Sequence, residues 1–278
     1  MVSGLSIFLM ILSLLLIVLF PLILSVVMYR KYKYKISAIF IGALTFTIFQ
    51  LVTRIPLLSV LAGMEWYKGI MSNLYVAALF LAGTAGIFEE TGRYIMYKLL
   101  LKNKHTWSNG IAFGIGHGGI EALLLVGISF IANIIMSFMI NSGLFDKAFS
   151  AQMTEATMNI VKSTLVDTPS YMFALAGIER VMAICMHIAF SVMVLYGIKT
   201  KRPVFLLCSI LAHTAVNFPA VVLPGLGVSN VIVEAVLALF AAASIIYTIK
   251  SKKHFDRYEQ EDNGFNEDEA LKADALEQ

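Results

Sequence analysis

The stretch Phe88-Glu89-Glu90-Thr91-Gly92-Arg93-Tyr94 follows twenty residues, Gly69 to Phe88, that carry no charge. Two carboxylates and an arginine then arrive within five positions. On insertion scales a charged side chain at the bilayer centre costs roughly 2.5–3.5 kcal/mol. Whether these groups lie in hydrocarbon therefore decides both the fold and the chemistry. The chain of 278 residues around them is 59% hydrophobic and 14% charged, whereas soluble domains run near 45–50% apolar and about 25% charged. Apolar, uncharged runs long enough to cross a bilayer recur at Met1–Tyr29, Ile36–Thr53, Ala122–Phe145, Val181–Ile198 and Pro203–Val233. The expectation is an all-α, polytopic transmembrane helix bundle in the cell membrane, multi-pass, with the charged stretch inside it.

Seven spans are expected, at about 4–28, 36–63, 70–98, 110–140, 169–198, 204–222 and 228–249. The first is read as uncleaved, because its apolar run is longer than a signal peptide's and no basic segment precedes it. Basic connections (Arg30 to Lys35; Lys98, Lys102 and Lys104; Lys199 to Arg202; Lys250 to Lys253) alternate with connections that are mixed or uncharged. The positive-inside rule then puts the N-terminus outside and the C-terminus in the cytoplasm. Residues 1–249 form the bundle, and the acidic stretch 250–278 reads as a disordered cytoplasmic tail. Arg54-Ile55-Pro56 predicts a break in the second span near Thr53, and residues 148–162 predict a helix on the outer surface. The small net charge of +3 gives no footprint for a nucleic-acid partner. Cys185 and Cys208 form neither a metal-ligand pattern nor a disulfide framework.

Polar groups recur at one depth. Counting inward from the cytoplasmic span ends, Glu89 is nine residues from Lys98, His117 seven from Gly110, His187 eleven from Ile198 and His213 nine from Val204. At about 1.5 Å per residue all lie roughly 10–17 Å deep. Each has a companion at helical spacing: Arg93 for Glu89, Glu121 for His117, Asn217 for His213, and Glu179 two turns from His187. Intramembrane ionisable groups face the bundle interior and find one another there. A carboxylate, imidazoles and an amide suit attack by an activated water, with the carboxylate as base and the His and Asn donors stabilising an oxyanion. Arg93 would hold one of Glu89 and Glu90 ionised. No H-E-x-x-H occurs, yet His117, His187 and His213 with a glutamate could still bind zinc. Two other readings use the same groups: a proton-coupled transporter, and a non-catalytic membrane scaffold.

Glu89-Glu90-x-x-Arg93, Phe113-x-x-x-His117 and His213-x-x-x-Asn217, in that order on successive spans, resemble the motifs of the CAAX-protease and bacteriocin-processing (CPBP) superfamily. Phe113 to Ala122 and Glu179-Arg180 with His187 are most similar to its YhfC-type branch of intramembrane peptidases. The resemblance covers spans three to six. It implies an intramembrane endopeptidase whose cavity opens to the cytoplasm, with Glu89 as the base and with Glu90, Arg93, His117, Glu121, His187, His213 and Asn217 around it. Its substrate would be a membrane protein or a lipid-anchored peptide in the lipid bilayer. That superfamily has three residues between the glutamate pair and the arginine, where this chain has two.

Overall fold

The structure is a computed structural model that describes residues 1–102 and 104–276, with side chains described as far as Gln260. Seven helices are long and apolar enough to cross a membrane. They are α1 (Gly4–Tyr32), α2 (Ser37–Leu61), α4 (Leu74–Leu100), α5 (Trp107–Asn141), α8 (Ser170–Lys199), α9 (Val204–Gly225) and α10 (Asn230–Leu276). Short helices α3 (Glu65–Met71), α6 (Phe145–Phe149) and α7 (Glu155–Asp167) fill the connections. Leucine, isoleucine, valine and phenylalanine side chains such as Phe8, Leu22, Phe40, Leu79, Ile135, Leu211 and Leu239 stand exposed on the spans. Such an apolar surface is stable against lipid tails and not against water. The protein is a multi-pass membrane protein.

Helix α8 is the hub, packed against α1, α4, α5, α9 and α10. Close approach at α5 depends on glycine. A methyl group at Gly116 would overlap the Ile39 carbonyl of α2, and one at Gly114 would overlap the Ile188 backbone of α8. Backbone-to-backbone packing of this kind is how helices associate where lipid offers no hydrophobic drive. It brings His117 on α5 up to His187 on α8, with ring centroids 4.9 Å apart.

The two ends of the bundle are built differently. At the end carrying the basic segments, Trp107 Nε1 donates to the Thr248 carbonyl (3.0 Å) and to Ser251 Oγ (3.1 Å). Asn109 Oδ1 accepts from the Lys35 amide, while its Nδ2 donates to the Lys104 carbonyl, both at 2.8 Å. At the other end the Asn141 amide pairs with both backbone groups of Val2, and Ser6 and Ser170 share a hydrogen bond of 2.8 Å.

Three expectations need correction. Helix α2 does not stop near Thr53 but runs on to Leu61, through widened π turns at Thr47–Arg54. Pro56 then falls in the first turn of an α-helical stretch, where its missing N–H disturbs least. The last helix does not end at Ile249. Residues 250–260, part of the stretch expected to be disordered, are helical, and Phe255 is buried against Tyr196. The remainder of that stretch, 261–278, lies outside the residues whose side chains are described. The surface helix begins at Glu155 rather than 148, because Thr154 caps it by accepting from the Thr157 amide at 3.2 Å. Its 13 residues reach about 20 Å at 1.5 Å each, short of the roughly 30 Å needed to cross.

Candidate metal and catalytic centre

The charged stretch on α4 lies in the interior. Glu89 is 3% exposed, and Glu90 and Arg93 are fully buried. Adjacent on one helix, the two carboxylates face different neighbours. Glu90 Oε2 accepts from Ser209 Oγ at 2.6 Å, its Oε1 lies 2.7 Å from His213 Nδ1, and Arg93 Nε is 3.2 Å away. Both of its oxygens are therefore occupied. Glu89 lines a cavity of about 300 Å³ with His187, His213 and Asn217, and its Oε2 lies 3.0 Å from His117 Nε2. The carboxylate with room for a water is Glu89; Glu90 is bound into the wall.

Arg93 ties the layer together. Its Nη1 donates to the His187 carbonyl (2.9 Å) and to Ser191 Oγ (2.7 Å), and its Nη2 lies 2.7 Å from His187 Nδ1. A guanidinium only donates, so His187 Nδ1 accepts and its Nε2 carries the hydrogen. That Nε2 lies 2.6 Å from Glu121 Oε2. A carboxylate only accepts, so His213 Nδ1 donates to Glu90. In its neutral form His213 then carries its lone pair on Nε2, 4.0 Å from Glu89 Oε2.

Most of the companions expected along a single helix are found between helices instead. His117 pairs with Glu89, not with Glu121. Glu121 pairs with His187 and with Arg180, whose Nη1 is 3.3 Å from Glu121 Oε1. Glu179 pairs with its neighbour Arg180, not with His187. Asn217 lines the cavity beside His213, and among the described residues it makes no side-chain hydrogen bond. The physical reason is that residues four apart on a helix lie side by side along its axis, while hydrogen-bond partners reach across from the facing helix.

Two polar residues of the wall escaped the sequence reading. Gln50 and Arg54 project into the cavity from the π turns of α2. Arg54 Nη2 donates to the Leu81 carbonyl at 2.7 Å, Nη1 to Gln50 Oε1 at 3.3 Å and Nε to Thr84 Oγ1 at 3.2 Å. An arginine inside an apolar run was the available signal, but Pro56 two positions on made it look like a helix break.

Glu89, His117, Glu121 and His187 each offer one ligand atom, and these atoms lie within 4.8 Å of one another. His213 is not among them: its Nδ1 is held by Glu90 and its Nε2 lies 4.0 Å from Glu89 Oε2, so the clustered set differs from the three histidines expected. Two imidazoles and two carboxylates are a donor set for a borderline divalent ion such as zinc, His187 binding through Nε2 with loss of the hydrogen it otherwise carries there. Glu121 Oε2, buried without a well-aligned hydrogen bond, is the kind of acceptor a cation satisfies. The residues fit a metal.

No solved structure matches the chain. Over 239 residues it is 41% identical to the uncharacterized membrane protein YhfC of Bacillus subtilis (strain 168), covering 85% of this chain and 93% of that one. Residues 15–238, which contain every member of the buried Glu/His cluster, match the YhfC intramembrane metalloprotease family, and the chain belongs to that family.

Proposed function

We propose that the protein is a metal-dependent endopeptidase that hydrolyses peptide bonds of membrane-associated substrates within the bilayer. The observation that carries this reading is the convergence of Glu89, His117, Glu121 and His187 on one point beside a polar cavity. The family's description as intramembrane metalloproteases supports the same class of reaction. Glu89, His117, Glu121 and His187 would hold the ion, which when bound lowers the pKa of a coordinated water toward neutrality and polarises a carbonyl.

The chain's own groups supply the rest. His213 Nε2 faces Glu89 across 4.0 Å with its lone pair free, fixed in that tautomer by Glu90. It takes the proton of the attacking water and later returns it to the leaving amine. Glu90, itself held by Ser209, holds His213 much as a triad carboxylate holds its histidine. Arg93 fixes the His187 ring and offsets the charge of Glu89 and Glu90. Asn217 and Arg54 present donors to the cavity for the oxygen on which charge develops. Arg180, bonded to Glu121, keeps that carboxylate turned toward His187.

The test is metal analysis and peptide cleavage on one preparation. Purified protein should carry one equivalent of a divalent metal. It should cleave a quenched-fluorescent hydrophobic peptide in detergent and lose cleavage with 1,10-phenanthroline. Full cleavage after complete metal removal would restore the metal-free glutamate mechanism. Metal-loaded protein that cleaves no membrane peptide would favour the carrier or scaffold reading.

A further inference from the structure

We propose that the substrate reaches this centre as an extended peptide, through a groove between α8, α9 and α10 that opens at the end opposite the basic segments. The inference rests on the peptidase reading for its occupant, and on the shape of the bundle for its route.

The route has an open side and a closed side. A second cavity, about 260 Å³, adjoins the catalytic one, and both are lined by Glu179, Ala220 and Leu237. It leads on to Met172, Pro224 and Asn230, which lie at or near the helix ends on the side of the uncharged loop Pro224 to Gly227. Toward the basic end the way is filled. Tyr97, Leu101, Ile111, Phe113 and Leu195 are all 2% exposed or less and belong to one packed cluster, and Tyr97 stacks on Phe113 at 4.3 Å. Tyr97, Ile111, Phe113 and Leu195 lie between the Glu/His layer and the basic end of their helices, and Leu101 caps the basic end of α4. By the positive-inside rule the open end faces outward. The proposed route therefore differs from the cytoplasmic opening that the resemblance implies.

The groove also has what an extended chain needs. Pro219 and Pro224 sit inside α9, which stays helical from Val204 to Gly225. Proline has no N–H, so the carbonyls four residues earlier, Ala215 and Ala220, lose their helical donors. Ala220 is a residue that lines both cavities. A peptide unwound to expose its scissile bond has unsatisfied amides, which are costly in hydrocarbon. The Ala220 carbonyl offers one of them a partner on the way to Glu89.

Accessibility labelling tests the route without requiring catalysis. In a Cys185→Ser, Cys208→Ser background, Leu175→Cys and Val233→Cys sit in the groove and Ala183→Cys sits in the catalytic cavity. Glu155→Cys and Lys104→Cys mark the two faces. The probe is the membrane-impermeant thiosulfonate MTSES, applied to intact cells and to inverted vesicles. Leu175→Cys, Val233→Cys and, more slowly, Ala183→Cys should react from the face that exposes Glu155→Cys. Adding Val233→Trp should abolish reaction at Ala183→Cys. Reaction from the Lys104→Cys face, or from neither face, overturns the route whether or not the protein cleaves peptide. Pro224→Ala restores a donor to Ala220. In cleavage assays it should raise KM about fivefold, the equivalent of one hydrogen bond, with kcat and metal content unchanged. An unchanged KM overturns the role of the carbonyl. Absence of cleavage in every variant, with labelling as expected, overturns the peptidase reading and leaves the route standing.

Discussion

The two ends of the bundle start from similar materials and reach opposite results. Toward the basic end, α4, α5 and α8 contribute Tyr97, Phe113 and Leu195, which close the interior completely. On the other side of the Glu/His layer the same α4 and α8 contribute Ala82, Ala85 and Ala183, and the interior stays open as a cavity. The irregular backbone is found on this open half: the π turns of α2 beside Arg54 and the prolines of α9. Non-helical backbone at membrane depth is tolerated only where it is buried in protein or lines a polar cavity. The closed half is tightly packed and the open half holds the cavity that the Glu/His layer lines, with Glu90 and Glu89 as the contact point between them.

The sharpest way to break that contrast is on the open side. Glu89→Gln removes a carboxylate without changing shape. Cleavage should fall by at least about 10²-fold and bound metal should be lost, while size-exclusion behaviour in detergent stays that of the folded protein. Retained metal and cleavage would mean that Glu89 is structural, like its neighbour. Glu90→Ala is the counterpart. It leaves Arg93 and His213 buried without their partner, which should cost about 3–5 kcal/mol of stability, read as a large drop in thermal midpoint. A variant that stays stable but inactive would move Glu90 from the wall into the reaction.

Packing predictions follow at smaller magnitude. Gly114→Ala would push α5 off the α8 backbone. About 1–3 kcal/mol of stability should be lost, together with metal affinity, because His117 and His187 are brought together by that contact. Trp107→Phe affects only the closed end, where it removes the indole donor to the Thr248 carbonyl and Ser251 Oγ, which keep the hydrogen bond between them. It should lower the thermal midpoint by an amount equivalent to about 1–2 kcal/mol and leave metal content unchanged. The smallest effect is expected at the exposed Glu65–Lys68 pair on α3, where Glu65→Gln should change stability by less than about 0.5 kcal/mol.

Much of the layer was legible because hydrocarbon penalises charge so strongly. Glu89, His117, His187 and His213 stood out at one depth by counting alone, and the structure brings them together. The partners were less legible. Counting along one helix paired His117 with Glu121 and His187 with Glu179, whereas the facing helices supply Glu89, Glu121 and Arg93. Arg54 was hidden because a π turn, which changes the face a side chain occupies, leaves no periodic signal in the sequence.

Composition and periodicity by themselves determined that this chain is a seven-span membrane bundle with ionisable groups buried near mid-depth, since every uncharged run had to become a helix in order to satisfy its own backbone. Tertiary structure alone decided that Glu89 lines the cavity while Glu90 is bound into the wall, that Glu121 rather than His213 clusters with Glu89, His117 and His187, and which half of the bundle holds the cavity. Those outcomes depend on the rotation and closeness of neighbouring helices. Both are fixed by contacts such as Gly114 on Ile188 and Gly116 on Ile39, between residues that no local pattern connects.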